Sequence, residues 1–435
     1  MKSILLAFAA ASLWAAGPPN IVMILSDDHG WRDYGFMGHP HARTPNIDKL
    51  AAESLLFTRG YVPASLCRPS LASMMTGLYP HQHLITGNDP PGNAKDPQSR
   101  AAMVSLFKKS KTIVGELSAA GYVSHQSGKW WEGECTCCGF TECMSHGDVT
   151  RGGRHGDVGL QIGRQTMQPV FDFVDRAAGK PFLLWYAPMM PHTPHNPPAR
   201  LLDKYSKLPT AQAKYMAMIE WFDETIGQLV AHIDKKGLSE NTVFIYVADN
   251  GWVQLEGQQS LYATRAKLSP YDAGLRTPIF FRWKGKIRPH RDDKIFVSSL
   301  DIAPTIISAA GRKPPVNWPG IDVRDTKKLA ARQTLFGANF MHTSIDIAKP
   351  AANLKYRWAI RDNWKLILPF EPNLSQAIWE GRPETAWGTE PELYDLAADP
   401  GEKQNLAAQY RDVVESLTNA IDGWWKVQPL DRRSP

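Results

Sequence analysis

Four short apolar runs, residues 21–25, 182–186, 243–247 and 278–283, have the pattern of strands buried on both faces. Between them the apolar spacing becomes helical. Tyr215, Met218, Ile219, Phe222, Ile226, Leu229, Val230 and Ile233 fall on one helical face. Thr44 and Pro45 suit an N-cap and a first helical position ahead of Ile47, Leu50 and Leu55, and Asp301 suits the cap of a helix that Gly311 ends. Strands alternating with helices predict an α/β fold: a large mixed, mainly parallel sheet sandwiched by helices. The tail changes character. Residues 356–370 predict a hairpin, 393–396 a short strand and 413–425 a closing helix. The expected division is a main domain at 18–345 and a smaller C-terminal α+β domain at 346–435.

The first residues stand apart. Lys2 precedes an apolar run at 4–14, then Ala15, Ala16 and Gly17, the layout of a signal peptide over residues 1–17. The run is shorter than the roughly 20 apolar residues of a membrane anchor. A periplasmic or secreted protein is expected, with no membrane span in the mature chain. Among 435 residues, 43% are hydrophobic and 21% charged, which fits a globular chain, and a net charge of +6 without long like-charge runs gives no case for nucleic acid. Export permits disulfides. Cys135, Cys137, Cys138 and Cys143 crowd together and predict up to two bridges, with zinc or free thiols as alternatives, while Cys67 stands alone.

Three of the strands run into polar residues: Asp27 and Asp28 after the first, His192 after the second, Asp249 and Asn250 after the third. In open α/β sheets the site lies beyond the carboxyl ends of the strands. Carboxylates gathered there need a counter-charge, and an all-oxygen set suits Ca²⁺, with Mg²⁺ second. Helix caps are the simpler alternative for Asp27 and Asp249. Cys67, ahead of Pro69, Leu71, Met74 and Met75, is placed at a helix N-terminus, where anions and activated nucleophiles are favoured.

These segments together resemble the sulfatase family. Cys67-Arg68-Pro69-Ser70 through Gly77 is similar to its signature, in which a cysteine is converted to formylglycine. Asp27-Asp28, Gly128-Lys129-Trp130, Pro191-His192-Thr193-Pro194, Asp249-Asn250-Gly251, Lys267 ahead of Tyr271-Asp272-Ala273-Gly274, and Glu392-Leu393-Tyr394-Asp395 follow in the family's order. The resemblance implies an alkaline-phosphatase-like fold and a bound Ca²⁺ held by Asp27, Asp28, Asp249, Asn250 and the residue made from Cys67. It implies that Lys129 and Lys267 hold the sulfate and that His192 serves the leaving oxygen. It also implies a sulfated sugar or polysaccharide as substrate, and a formylglycine-generating or equivalent maturase as partner.

Two positions depart from the family. Leu71 stands where the signature has an arginine, and Trp131 where a histidine follows Gly-Lys-Trp. His146, in a nearby loop, is the candidate to replace that histidine. Among the 15 tryptophans, Trp130, Trp131 and Trp252 follow motif residues and are candidate walls for a sugar subsite. Two other readings stay open on the sequence: a phosphoesterase or phosphonate hydrolase of the same fold, and a catalytically impaired binder of sulfated polysaccharide.

Overall fold

The structure, a computed structural model, describes residues 17–177, 179–370 and 389–428. The signal-peptide expectation falls almost wholly on residues 1–16, outside the described residues. Among the described residues no helix is long and apolar enough to cross a membrane.

The main sheet has eight strands: β1 (Asn20–Ser26), β2 (Leu55–Tyr61), β3 (Val123–Gly128), β4 (Glu142–Cys143), β5 (Phe182–Ala187), β6 (Thr242–Ala248), β7 (Ile279–Arg282) and β8 (His290–Ser298). They lie in the order β4-β3-β5-β1-β6-β7-β2-β8. β7 is antiparallel to both β6 and β2, and the remaining pairs are parallel. The expected mixed, mainly parallel α/β sheet is therefore present, with the run at 278–283 as its one reversed strand.

β1 shows why its residues are apolar throughout. Ile21, Met23 and Leu25 face a cluster that includes Met74 and Met75 of the helix α2 (Cys67–Thr76). Val22 and Ile24 face the other side, against Phe222, Ile226, Leu229 and Ile233 of the helix Thr210–Lys235. Alternating side chains thus bury both faces, as a central strand between two helical layers requires. Helix α1 (Pro45–Ala52) starts at Pro45, and Thr44 accepts from the Gly35 amide at 2.8 Å rather than capping its own helix. Asp301 precedes the helix Ile302–Ala309 without capping it. Its carboxylate accepts from the Ser298 and Ile321 amides, at 2.8 and 2.7 Å, and pairs with Arg332.

A second, antiparallel sheet takes β12 (Glu392–Asp395), β11 (Trp364–Pro369), β10 (Leu354–Arg361) and β9 (Leu335–Phe340) in that order. β9 lies ahead of residue 346 and already belongs to this sheet. The helix Arg411–Trp424 covers it with Leu417 and Ile421, against Ala359, Leu366 and Leu393. The fully buried Lys365 of β11 ties the two units together, reaching Asp272 at 2.9 Å and Glu402 at 2.8 Å.

Of the cysteine cluster, Cys135 and Cys143 form a disulfide. The second bridge is absent: Cys137 and Cys138 are free, adjacent in one tight turn, the first exposed and the second buried with its thiol toward the Glu132 carbonyl.

Candidate active site

Neighbouring strands β3, β5, β1 and β6 end together, with Gly128 opposite Ala187 and Ser26 opposite Ala248. Their next residues carry the polar groups. Gly128 takes φ +86°, and a Cβ on it would lie 1.7 Å from the Ala187 carbonyl oxygen. Only glycine fits so close an approach. It lets the chain turn so that the Lys129 amide donates to that carbonyl at 2.7 Å and the side chain enters the site. Asp28, at φ +56°, occupies the left-handed region as well. Its backbone amide donates to Asp249 Oδ1 at 3.1 Å, and its carboxylate accepts from Asn250 Nδ2 at 2.7 Å and from Lys267 Nζ at 2.6 Å. Strain of this kind persists where the surroundings over-determine it.

Lys129 Nζ lies 2.7 Å from Asp27 Oδ1 and 3.4 Å from Asp249 Oδ2. His192 follows a turn that bridges Pro191 to Asp27, and its Nε2 stands 3.4 Å from Asp28 Oδ2. Its Nδ1 faces the Thr193 carbonyl at 2.7 Å, which holds a proton at Nδ1 and leaves Nε2 to the site. Cys67 is the first residue of α2 and is 1% exposed. Asp28, Cys67, Lys129, His192 and Lys267 line one cavity of ≈ 180 Å³.

Three carboxylates, Asp27, Asp28 and Asp249, thus face two ammonium groups. Burial opposes the charge on Lys129 and Lys267, yet Asp27 beside the first and Asp28 beside the second hold both above the usual lysine range. Burial also works against Asp27 and Asp28, but the lysines keep both carboxyls below their ordinary range. Asp249 is left over: burial, then the charge of Asp27, pushes its carboxyl up to about 8. Burial draws His192 down and pushes the Cys67 thiol up to about 11.

The cluster is therefore short of positive charge, and its oxygens say the same. Asp27 Oδ2 and Asn250 Oδ1 are buried without a hydrogen-bond partner among the described residues. Asp27, Asp28, Cys67 and His192 each bring a ligand atom, all within 4.8 Å of one another. A hard divalent cation fits the oxygens of this cluster, because it would complete the two orphaned ones and balance the third carboxylate.

Trp131 and Trp252 line the cavity as candidate walls, and Lys267 Nζ sits 5.7 Å from the Trp252 ring centroid. Trp130 does not line it. It packs edge-on against Phe107 and Phe140 in the core. His146 is not brought to the cavity either: its Nδ1 pairs with Asp157 at 2.6 Å, which pins it within its own loop. The histidine of this loop that does reach the cavity is His155, its ring 5.4 Å from Trp131 and 6.5 Å from His192. Asn88, Arg154 and His342 line it too. All four sit in loops without apolar periodicity, so spacing alone could not have found them.

Leu71 and Trp131, the two departures, are neighbours. With Arg68, Lys129, Trp130, Glu132 and Trp185 they surround a void of only ≈ 10 Å³. Arg68 already takes both Glu132 oxygens, each at 2.7 Å. Leu71→Arg would add an unpaired buried cation beside Arg68 and Lys129, so we expect a loss on the order of 3 kcal/mol and a lower Tm. An unchanged or raised Tm would contradict this packing argument.

The comparisons agree with this geometry. The family model described as Sulfatase matches residues 19–312. The chain belongs to the sulfatase family. It is a sulfuric ester hydrolase of the alkaline phosphatase superfamily. It is similar to arylsulfatase A of Homo sapiens, 29% identical over 97% of this chain and 89% of that protein. It is also similar to N-acetylgalactosamine-6-sulfatase of Canis lupus familiaris, 26% identical over 96% of this chain and 88% of that one. A structure solved in complex with its substrate D-glucosamine-2-N,6-O-disulfate shares the fold, with TM-score 0.68, 19% identity, and 96% and 100% of the two chains covered.

Proposed function

We propose that this sulfatase removes sulfate from a sulfated sugar with a formylglycine made from Cys67, beside a Ca²⁺ held by Asp27, Asp28, Asp249 and Asn250. The observation that carries the reading is the convergence of Cys67, Lys129, Lys267 and His192 with three carboxylates at one cavity. The metal would supply a fixed positive charge for sulfate oxygens. Lys129 and Lys267, held protonated, add donors where charge builds in the transition state. The Cys67 thiol, pushed up to about 11 by burial, offers little thiolate near neutral pH, which favours the hydrated aldehyde as nucleophile. His192, with Nδ1 committed to Thr193, presents Nε2 to the leaving oxygen; burial draws its pKa down, and Asp27 and Asp28 oppose that by favouring a proton on the ring. The Cys135–Cys143 disulfide and the signal-peptide layout of residues 1–17 support a periplasmic or secreted location.

The test is sulfate release by the protein from its natural host, from a 6-sulfated N-acetylhexosamine and from an aryl sulfate. We expect release from both, and release from neither would overturn the reading. His192→Ala separates its role. A sugar alkoxide needs protonation and a nitrophenolate does not, so we expect a loss of roughly 10²–10⁴-fold on the sugar sulfate and far less on 4-nitrophenyl sulfate. Equal losses on both would exclude His192 as the acid.

A further inference from the structure

One wall of the cavity carries positive charge that neither the metal cluster nor the transferring sulfate uses. Arg100 Nη1 and Arg154 Nε both donate to Asp89 Oδ1 at 3.0 Å, and Arg154 Nη2 pairs with Asp89 Oδ2. One carboxylate thus serves two guanidinium groups. Arg100 also donates to the Arg154 carbonyl at 3.0 Å, which fixes the backbone there. Arg100 is buried, but the Arg154 side chain is 34% exposed and lines the cavity. Arg154 Nη1 has no acceptor among the described residues.

Both arginines also approach Trp131, with their guanidinium carbons 5.6 and 5.1 Å from its ring centroid. Trp131 is 3% exposed and lines the same cavity, yet its indole N–H has no acceptor among the described residues. A buried donor left unpaired is costly and rare. Burial and then the charge of Arg68 draw Arg100 below its usual range, in keeping with surplus positive charge on this wall. A cavity of ≈ 180 Å³ leaves room for about one sugar unit, so a sugar whose sulfate meets Lys129 and Lys267 brings its other substituents near Arg154 and Trp131.

We infer that Arg154, seated on Asp89 beside Trp131, recognises a second anionic group, a sulfate or a carboxylate, on the sugar being desulfated. The inference rests on the sulfatase reading above. A fixed guanidinium binds such oxyanions through charge-assisted, often paired hydrogen bonds that a hydroxyl cannot match.

The test compares kcat/KM within matched substrates: a monosulfated hexosamine against its disulfated form, and a sulfated uronate against the same sulfated sugar with its carboxyl reduced. Hydrogen bonds to charged groups predict a wild-type preference of roughly 10- to 100-fold for the member with the second anion. Which pair shows it identifies the group as sulfate or carboxylate. In Arg154→Gln the ratio should fall toward one, and in Arg154→Lys it should lie between. Each ratio is read within one preparation, so any loss of folded protein cancels. A wild-type ratio near one in both pairs, or a ratio unchanged in Arg154→Gln, would overturn the inference. If 4-nitrophenyl sulfate is still hydrolysed, only this inference falls; if no sulfate ester is hydrolysed, the reading beneath it falls as well.

Discussion

Cys67→Ala should lower turnover of sulfate esters by at least ~10³-fold, the scale seen when a covalent nucleophile is removed. The fold should survive. Cys67 is 1% exposed at the start of α2, and its side chain makes no hydrogen bond that the structure records. Losing one buried sulfur costs on the order of 1 kcal/mol, so Tm should change little. Steady-state kinetics with circular dichroism on the same sample reads both effects. Retained turnover in a folded variant would remove Cys67 from the chemistry and leave the reaction to the lysines, His192 and the carboxylate cluster.

The second large effect concerns the metal. Chelation should lower the wild-type Tm, and Ca²⁺ should restore it, since a ligand at a hundred times its Kd adds about 2.7 kcal/mol. Asp249→Asn should abolish that response and, with chelator present, be more stable than the wild type. The sign follows from the charge count. The Asp249 carboxyl, near 3.9 when unfolded, is raised to about 8 in the metal-free fold. Stability is then complete below the lower value and is lost as pH rises through the upper one. Asparagine keeps an acceptor for the Asp28 amide and removes that loss, so its advantage over the chelated wild type should grow between those two pH values. Melting curves across that range, with and without Ca²⁺, test this. An identical Ca²⁺ response in wild type and variant would show that Asp249 holds no metal.

The sequence makes β1, β5 and β6 legible because they are buried on both faces and apolar without a break. The strands it hides are those with polar or divided surroundings. β3, Val-Ser-His-Gln-Ser-Gly, is buried but hydrogen-bonded, with Gln126 and Ser127 fully enclosed, so it carries no apolar signal although it delivers Lys129. β8 is an edge strand whose first half is charged and solvent-facing. The reversed direction of β7 is likewise invisible to composition. At the site, residues at strand ends were legible because topology places them. Asp27, Asp28, Asp249 and Asn250 follow strands that end side by side, whereas Lys129, after the hidden β3, was legible only through the family's Gly128-Lys129-Trp130 motif. His146 and His155 were not separable, since both sit in one glycine-rich loop and only the pairing of His146 with Asp157 decides which ring faces the cavity. The proximity of Leu71 and Trp131 was equally hidden, because two positions far apart in the chain meet only around a shared void.

The proposed chemistry requires that Cys67 be matured although Leu71 replaces the signature arginine. The most direct test is the mass of the tryptic peptide at residues 60–95, from protein isolated from its natural host. Pro69 protects Arg68 from cleavage, so the peptide stays whole. We expect the mass of the formylglycine form. A mass matching unmodified cysteine throughout the population would contradict it.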